Sequence, residues 1–440
     1  MDGYYAWMLI ATALVFMMTI PALALFYGGM ARAKSVLNMM LMSYVALAIV
    51  GLVYVLWGWS MSFGEADLFG ILANPLEIFG LKDVGWDTYI AVCFQMSFAA
   101  IATALISGAL ADRVKLSAWM IFVPLWVTLC YFPIAHMVWG GGLIASHLPA
   151  QDYAGGTVVH INSGVAAGVL ALIIGRRVGF GKDPMRPHNL TLTMLGAGLL
   201  WFGWYGFNVG SIVFAAGDGG KKDIAQFMTE TGVTFMNTTL ATMAALLAWL
   251  LVERILHGKA TSLGAASGIV AGLVAITPAC GAVNILGAIV IGAVAGAACA
   301  WAVGLKYKFG LDDSLDVVGV HFVGGVVGTV LIGFLSTSDA PGGIDGLFYG
   351  GGFTSLWHQT GAVLIAIAWT ATFTALIGLA IKYTIGWRIS EEDEVEGIDF
   401  IEHGESAYDL HATAGTRRGG TIGNLITGLP IAQTVEGEKA

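Results

Sequence analysis

The chain has 440 residues, of which 57% are hydrophobic and only 11% are charged, and its net charge is −9. Soluble domains carry roughly 25% charged residues, and a protein of this size cannot cover a water-exposed surface with so few charges. The composition therefore excludes a water-soluble globular protein. The 61 glycines are typical of helices that pack closely in membrane lipid. We expect membrane lipid around the chain and no nucleic-acid partner.

A helix needs about 20 mostly apolar residues to cross a bilayer. The chain contains eleven such stretches, of which the eighth is short. The first has no basic region before it and is too long for a signal sequence, so we expect it to remain as a span. The predicted spans are residues 5–27, 37–63, 88–110, 117–146, 156–175, 190–214, 225–255, 262–277, 283–304, 317–336 and 355–386.

Lysine and arginine predict the orientation, because they are enriched in cytoplasmic loops. The loops after even-numbered spans hold only Lys82, Lys221 and Lys222. This bias predicts a multi-pass protein of the cell (inner) membrane with its N-terminus outside and its C-terminus in the cytoplasm. The loops after odd-numbered spans hold Arg32, Lys34, Arg113, Lys115, Arg176, Arg177, Lys182, Arg186, Arg254, Lys259, Lys306 and Lys308.

The C-terminal stretch becomes polar at about Arg388 and stays polar to Ala440. It is too polar to bury a sizeable core of its own. We therefore divide the chain into a transmembrane domain, residues 1–388, and a cytoplasmic tail, residues 389–440. The composition allows two interpretations of the tail, a solvated end or a regulatory or docking segment.

Spans 5 and 10 resemble each other. Residues 159–170, VHINSGVAAGVL, match residues 320–331, VHFVGGVVGTVL, at six of twelve positions. An aspartate stands eight residues before the histidine in each span. The two spans are five apart and so cross the membrane in opposite senses. This predicts two inverted five-helix repeats plus a final helix, an architecture that places a transport path at the repeat interface.

Ionisable residues inside a span are candidates for function. The repeat pairs His160 with His321, and two neutral imidazoles can share one hydrogen bond in an apolar lumen. The alternative is that each histidine only packs and bonds to a backbone carbonyl. His136 and His358 have no symmetric mates, so we interpret them as structural.

Several aromatic residues face the predicted outer half of the membrane. Phe98 and Trp139 lie toward the outer ends of spans 3 and 4. Phe207 and Ser211, four residues apart, are expected to share a face of span 6. Aromatic faces attract small cations, and a hydroxyl accepts their N–H groups. The alternative is that these side chains belong to the interfacial belt or the core.

Cofactor chemistry has little support in the sequence. No two cysteines have the spacing of metal ligands, so we expect small buried thiols, no metal and no cofactor. Two intramembrane histidines are able to ligate a haem, but nothing else points to a haem pocket. We expect a protein that is not an enzyme. The four cysteines are Cys93, Cys130, Cys280 and Cys299.

With these motifs in order from about residue 4 to 410, the chain resembles the ammonium transporter family (Amt/Mep, with Rh proteins as distant relatives). Trp139 and Ser211 fit a bacterial or archaeal Amt type. Phe322 replaces a glycine often found after the second histidine. The stretches that carry the resemblance are FYGGMARAKSVLN (26–38), FQMSFAAIATALISGALADR (94–113), PIAHMVWGGGL (133–143), DYAGGTVVHINSGVAAG (152–168), GWYGFNVGS (203–211), TPACG (277–281), DDSLDVVGVHFVGG (312–325) and EEDEVEGIDFIEHGESAYDL (391–410).

The resemblance implies an eleven-helix all-α homotrimer with one pore per subunit. By motif, Phe98, Trp139 and Ser211 form an outer ammonium site, with Phe94 nearby. Phe98 and Phe207 form a gate. His160 and His321 are the twin histidines of the pore and its proton transfer. Asp152 is the acidic residue of the outer mouth, with a structural or deprotonating role.

The resemblance implies transport of ammonium, and of methylammonium as its analogue, by deprotonation and conduction of ammonia. The sequence leaves open whether the proton returns outside or crosses separately, which would make transport electrogenic. A second reading is an ammonium sensor that signals through the tail. The resemblance also suggests a PII-type regulator at the cytoplasmic face and leaves the role of residues 411–440 open.

Overall fold

The computed structural model describes residues 2–183, 185–213 and 224–408. Ten of its helices are long and apolar enough to cross a membrane, and a shorter apolar helix, Ser262–Ile276, brings the number of spans to eleven. We number the spans in chain order, with Ser262–Ile276 as span 8. The others are Gly3–Met30, Val36–Phe63, Trp86–Leu110, Leu116–His147, Gly156–Ile174, Leu190–Val209, Ile224–His257, Ile285–Phe309, Val318–Leu335 and Thr354–Thr384.

The all-α membrane fold predicted from the sequence is confirmed, and most predicted spans end within a few residues of the observed helices. The two exceptions are span 9, which ends at Phe309 rather than at 304, and span 6, which ends at Val209 rather than at 214. The chain turns there, with the Ser211 N–H donating to the Asn208 carbonyl at 3.2 Å. In the described part, the strands are one short hairpin of Asp67–Leu68 and Leu72–Ala73 between spans 2 and 3.

Spans 5 and 10 are built alike. Each begins with a wide π-helical turn, Gly156–Ile161 in span 5 and Val318–Phe322 in span 10. Each continues as an α-helix of 13 residues, Asn162–Ile174 and Val323–Leu335. The two halves of the predicted repeat therefore share an uncommon local geometry as well as a sequence pattern.

The two spans cross in very close contact at a pair of matched glycines. A Cβ atom on Gly164 would lie 2.4 Å from the Phe322 backbone nitrogen. A Cβ on Gly325 would lie 3.0 Å from Ile161 and 3.2 Å from the Cβ of His160. In the repeat alignment Gly164 matches Gly325, and Ile161 matches Phe322. The contacts are therefore reciprocal, as a pseudo-two-fold axis between the spans requires.

The tail packs against one end of the bundle, which we call the tail face. Its two short helices are Glu391–Glu396 and Ile398–His403. The Asp399 carboxylate accepts the backbone N–H groups of Leu37 (3.0 Å) and Asn38 (2.8 Å). These are orphan donors at the start of span 2, where Ser35 provides no side-chain cap of its own.

A second tail residue joins two further segments. The Glu394 carboxylate is 2% exposed, receives the Val178 N–H at 2.8 Å, and pairs with Arg388 at 2.7 Å. The interpretation of the tail as a solvated end is therefore wrong for residues 389–408. Residues 411–440, whose role the sequence left open, lie outside the described residues.

The tail contact gives a testable prediction. Asp399→Ala removes the acceptor for two N–H groups at a helix start, a change that costs about 1–2 kcal/mol. We expect the tail to detach and limited proteolysis of the solubilised protein to cut between residues 388 and 408 several times faster. Glu396→Ala, an exposed change in the same segment, is the control. Equal cleavage rates in both variants and the wild type would show that Asp399 does not hold the tail.

Candidate functional site

The two histidines of the repeat meet inside the bundle. His160 and His321 lie in the π turns of spans 5 and 10 and are 1% and 4% exposed. Their Nδ1 atoms are 3.3 Å apart, and their rings stack with centroids 5.3 Å apart. The structure therefore brings together the pair that the sequence repeat singled out.

A single hydrogen bond between two Nδ1 atoms requires one imidazole to donate and the other to accept. Two neutral imidazoles of opposite tautomer meet this requirement, whereas two imidazolium rings would place two donors face to face. His160 Nε2 is buried and has no hydrogen-bond partner among the residues that the structure describes. The pair therefore leaves one ring nitrogen available to a small polar molecule.

A narrow cavity, here called the lumen, lies beside the histidine pair. It offers about 10 Å³ to the centre of a water-sized molecule, which is about the room that one such molecule needs. Apart from the two imidazoles its lining is apolar or aromatic, and includes Ile101, Leu105, Leu200 and Val270. The lumen therefore has room for a small neutral molecule and no side-chain charge to stabilise an ion.

Two stacked phenylalanines separate the lumen from a wider cavity. The rings of Phe98 and Phe207 lie 3.9 Å apart and nearly parallel, at 8°. Phe207 lines the lumen, and Phe98 lines the wider cavity on its other side. Phe94 packs on Phe98, with centroids 4.9 Å apart. A molecule passing from one cavity to the other has to displace this stack.

The wider cavity, here called the vestibule, lies at the end of the bundle opposite the tail face. Its volume is about 490 Å³, and Phe98, Trp139, Asp152 and Ser211 are among its lining residues. Trp139 meets Phe98 edge to face, with centroids 6.1 Å apart. The predicted capture and gate residues thus form one continuous aromatic wall, from the vestibule to the lumen.

Ser211 reaches this wall in a different way from the one predicted. It does not share a helical face with Phe207, because span 6 ends at Val209 and Ser211 lies in the turn that follows. Its hydroxyl donates to the Phe207 carbonyl at 2.8 Å. The hydroxyl proton is therefore used at the helix end, and the oxygen is left to accept a hydrogen bond from the vestibule.

Asp152 holds the start of span 5. Its buried carboxylate accepts four backbone N–H groups, and burial raises its pKa to about 6 against the effect of these bonds. The Asp152 backbone carbonyl accepts the Trp139 indole N–H at 2.9 Å. One residue therefore fixes both the helix that carries His160 and the ring that lines the vestibule. The four donors are Gly155 (3.0 Å), Gly156 (2.6 Å), Thr157 (2.9 Å) and Val158 (3.2 Å).

The sequence analysis missed several residues of the two cavities. Trp204 stacks on His160 with centroids 5.4 Å apart and donates its indole N–H to Thr277 at 2.8 Å. Its position one turn before Phe207 on span 6 is the signal that would have found it. Glu230, 4% exposed, accepts the Tyr153 hydroxyl at 2.7 Å beside the vestibule. No motif marks Glu230.

The other candidate residues lie outside the lumen. His136 is buried near the vestibule end of span 4, and His358 is half-buried on span 11. Among the described residues no three His, Cys, Asp or Glu side chains converge as metal ligands. The 3.3 Å between His160 and His321 leaves no room for a haem iron between them. All four thiols are free, and three of them are buried: Cys130, Cys280 and Cys299.

The comparisons with known proteins all find ammonium transporters or related Amt and Mep proteins. The Ammonium Transporter Family model matches residues 6–408. The chain is 49% identical to an ammonium transporter of Mycobacterium bovis, over 94% of this chain and 92% of that protein. Its fold resembles the crystal structure of Saccharomyces cerevisiae Mep2, with a TM-score of 0.79, 33% identity and 88% of each chain covered. It also resembles a sensor Amt protein, with a TM-score of 0.81, 26% identity, and 91% and 98% covered.

Burial of Asp152 predicts a pH dependence of stability. Its folded-state pKa of about 6 lies above the value near 3.9 of an unfolded aspartate, so protonation favours the folded state. The contribution is complete below about pH 3.9 and is lost as the pH rises to about 6, by up to about 1.4 kcal/mol per pH unit.

We therefore expect the unfolding free energy of the wild type, relative to Asp152→Asn, to fall as the pH rises through this window. Unfolding in mixed micelles at several pH values between about 4 and 7 measures the difference. A difference that does not change with pH would contradict this assignment.

Proposed function

The chain belongs to the ammonium transporter family, and we propose that it captures ammonium in the vestibule, removes one proton and conducts ammonia through the lumen. The observation that carries this proposal is the lumen itself, which is narrow and apolar and contains two hydrogen-bonded imidazoles. Such a path favours a small uncharged molecule that both donates and accepts hydrogen bonds.

Energetics favour deprotonation over transfer of the ion. A bare ammonium ion in a medium of low dielectric constant costs tens of kcal/mol. Removing its proton near neutral pH costs about 1.4 kcal/mol per unit of pKa difference, roughly 3–4 kcal/mol in all. The lumen offers no side-chain charge to offset the cost of transferring the ion, so deprotonation needs much less free energy.

The vestibule supplies the groups that would capture the cation. The face of Trp139 attracts a small cation, an effect of about 0.5–2 kcal/mol. The Ser211 oxygen accepts one of its N–H groups, and Phe98 provides the floor of the site. These contacts suit ammonium, and also methylammonium, whose methyl group can lie on the aromatic wall.

The fate of the proton divides the proposal into two versions. The proton either returns to the vestibule side, or crosses separately by way of His160 and His321. The free His160 Nε2 supports the second, electrogenic version, because it gives a proton carrier a site within the lumen. Asp152 supports the capture site as a structural residue, since its carboxylate already accepts four N–H groups.

The proposal extends to the membrane and to partners. We assign the vestibule to the outside and the tail face to the cytoplasm of the inner membrane, on the distribution of lysine and arginine. Family resemblance supports a homotrimer and a PII-type regulator at the tail face.

An ammonium sensor is the second candidate function, and two observations support it. Residues 389–408 are packed on the loops of the bundle, and one of the similar folds is that of a sensor Amt protein.

Current recording from proteoliposomes under an ammonium gradient, combined with a vesicle-pH assay of ammonia entry, tests substrate and electrogenicity together. Ammonium-dependent current supports the electrogenic version, and ammonia entry without current supports a neutral channel. The absence of both the current and the ammonia entry would contradict transport and favour the sensor.

The capture site predicts the behaviour of Trp139→Leu. Loss of the cation–π contact should raise the apparent KM for ammonium about two- to thirtyfold and leave the maximal rate within about twofold. Methylammonium competition measures the same change. Trp57→Leu, at a half-buried tryptophan that does not line the vestibule, is the control. An unchanged KM in Trp139→Leu would remove this residue from the site.

The histidine pair predicts a selective loss. His321→Leu removes the shared hydrogen bond and the imidazole route for a proton but keeps an apolar lumen. We expect proton-coupled current to fall at least tenfold while ammonia permeation falls less. His358→Leu, at a histidine outside the lumen, should change neither. Equal loss of current and permeation in His321→Leu would indicate a packing role.

A further inference from the structure

His136 is a buried histidine that the proposed route does not use. It lies in the last turn of the helix Phe132–Trp139 within span 4, three residues before Trp139, and is 1% exposed. Its Nδ1 is 3.1 Å from the backbone carbonyl oxygen of Ser62. Its Nε2 is 2.9 Å from a carboxylate oxygen of Asp67, at the start of the hairpin that follows span 2.

Both neighbours of the ring are hydrogen-bond acceptors. A backbone carbonyl cannot donate, and an ionised carboxylate cannot donate either. The hydrogen bond to His136 and the Gly70 N–H lower the pKa of Asp67, which keeps this carboxylate ionised. A neutral imidazole has one N–H and can satisfy only one of two acceptors, whereas an imidazolium satisfies both. The surroundings of His136 therefore fit its charged form.

Other titratable groups near this end of span 4 are engaged elsewhere or turned away. On the hairpin loop, the Glu77 carboxylate accepts the N–H groups of Glu65 and Ala66, and Glu65 is exposed. On the short helix Leu143–His147 at the end of span 4, His147 is exposed and bonded to Ser146. Asp67 is thus the one carboxylate within hydrogen-bond distance of His136 in the described structure.

Asp152, before span 5, accepts the Trp139 indole N–H through its carbonyl, and its carboxylate is bonded to four backbone N–H groups. The other groups on elements packed against this turn belong to the interior. Cys130 and Tyr131 lie earlier on span 4 and are buried. His160, on span 5, is bonded to His321. The Asp67 side chain is 49% exposed, so solvent protons reach the His136–Asp67 pair from the vestibule end.

The same turn positions Trp139. The His136 carbonyl accepts the N–H groups of Gly140 and Gly142, at 3.0 and 3.1 Å. A Cβ on Gly140 would lie 2.5 Å from His136 Nδ1 and 2.2 Å from the Ser62 carbonyl oxygen. The glycine turn therefore wraps directly over the imidazole. Trp139 is the last residue of this helix and directly precedes the glycine turn in sequence, so a shift of the turn moves the helix end that presents the indole.

We propose that the His136 imidazolium and the Asp67 carboxylate form a pH-sensitive positioning pair for Trp139, and so set the affinity for ammonium at the vestibule. This inference rests on the proposed capture function of Trp139. The charged pair holds span 4 to the carbonyl of span 2 and to the hairpin at once. When the pH rises and the imidazole loses a proton, one of these two bonds is lost and the turn that carries Trp139 loosens.

The test is the pH profile of the apparent KM for ammonium, from currents at a series of external pH values. In the wild type, KM should rise over the pH range in which His136 loses its proton. Asp67→Asn removes the counter-charge but keeps an amide oxygen for the Gly70 N–H. The rise should then begin at least one pH unit lower, with KM at least threefold above the wild type in that interval and the maximal current within twofold.

Glu65→Gln removes a charge from the same loop, outside the pair, and should reproduce the wild-type profile. His136→Gln keeps a hydrogen-bonding side chain without a titrating one, and should raise KM at every pH without a step. Superimposable profiles of Asp67→Asn and the wild type would overturn the proposal. So would a uniform change of KM at all pH values, which is what a merely structural role produces.

A second measurement does not depend on transport. In protein labelled with ¹⁵N-histidine, the His136 signal is identified by its loss in His136→Gln. Its titration midpoint should lie at least one pH unit lower in Asp67→Asn than in the wild type. An unshifted midpoint overturns the pair. A shifted midpoint in a protein that passes neither ammonium current nor ammonia upholds the pair and overturns the proposed function instead.

Discussion

The close crossing of spans 5 and 10 is the contact on which the rest of the site depends. Gly164 and Gly325 leave no space for a side chain, so the two helices meet almost backbone to backbone. Only at this distance can His160 and His321 share a hydrogen bond between their Nδ1 atoms. The same approach keeps the lumen about one water-sized molecule wide. A larger residue at either glycine would separate the two helices. The imidazole pair and the walls of the lumen would then move apart as well.

The π turns solve a second problem created by this crossing. A wide turn changes the direction in which a side chain leaves a helix, but it also leaves backbone donors that lipid cannot satisfy. In span 5 the Asp152 carboxylate accepts four of these N–H groups, and in span 10 Asp313 accepts those of Val317 and Val318. Burial raises the pKa of Asp152 and that of Asp313 to about 6. The aspartates are placed where the backbone needs an anion, at the cost of their own desolvation.

The sequence predicted the parts of the fold that follow from periodicity and symmetry. Long apolar runs predicted the spans, and the spacing from aspartate to histidine in two similar stretches predicted the imidazole pair. Trp204 was missed because an aromatic residue on an apolar helix gives no sign of its neighbour until the helices are packed. Ser211 was placed on a helix because the i, i+4 rule contains no information about where the helix ends.

The contacts of charged residues were likewise not predictable from the sequence. Arg177 indicated orientation by its position in a loop, yet it is buried, and its guanidinium bonds to Asp112 at 2.8 Å and to Asp312 at 2.9 Å. Arg177 and its two partners lie on three different loops, so no local pattern connects them. Composition also could not predict the docking of residues 389–408, because a charged segment is expected to be solvated until its partners are known. Sequence gives the number and type of such charges, whereas tertiary contact decides which of them are neutralised.

Charge is thus confined to the two ends of the bundle, and the middle of the route has none. On the proposed route this separation is the source of selectivity. A potassium ion has no proton to lose, so it would meet the full cost of entering the lumen, on the order of tens of kcal/mol. Ammonium avoids that cost by leaving its proton behind, for roughly 3–4 kcal/mol near neutral pH. Two cations of similar charge are then separated by acid–base chemistry rather than by size. An apolar lumen suffices for this discrimination as long as the vestibule captures the cation and the imidazoles stay neutral.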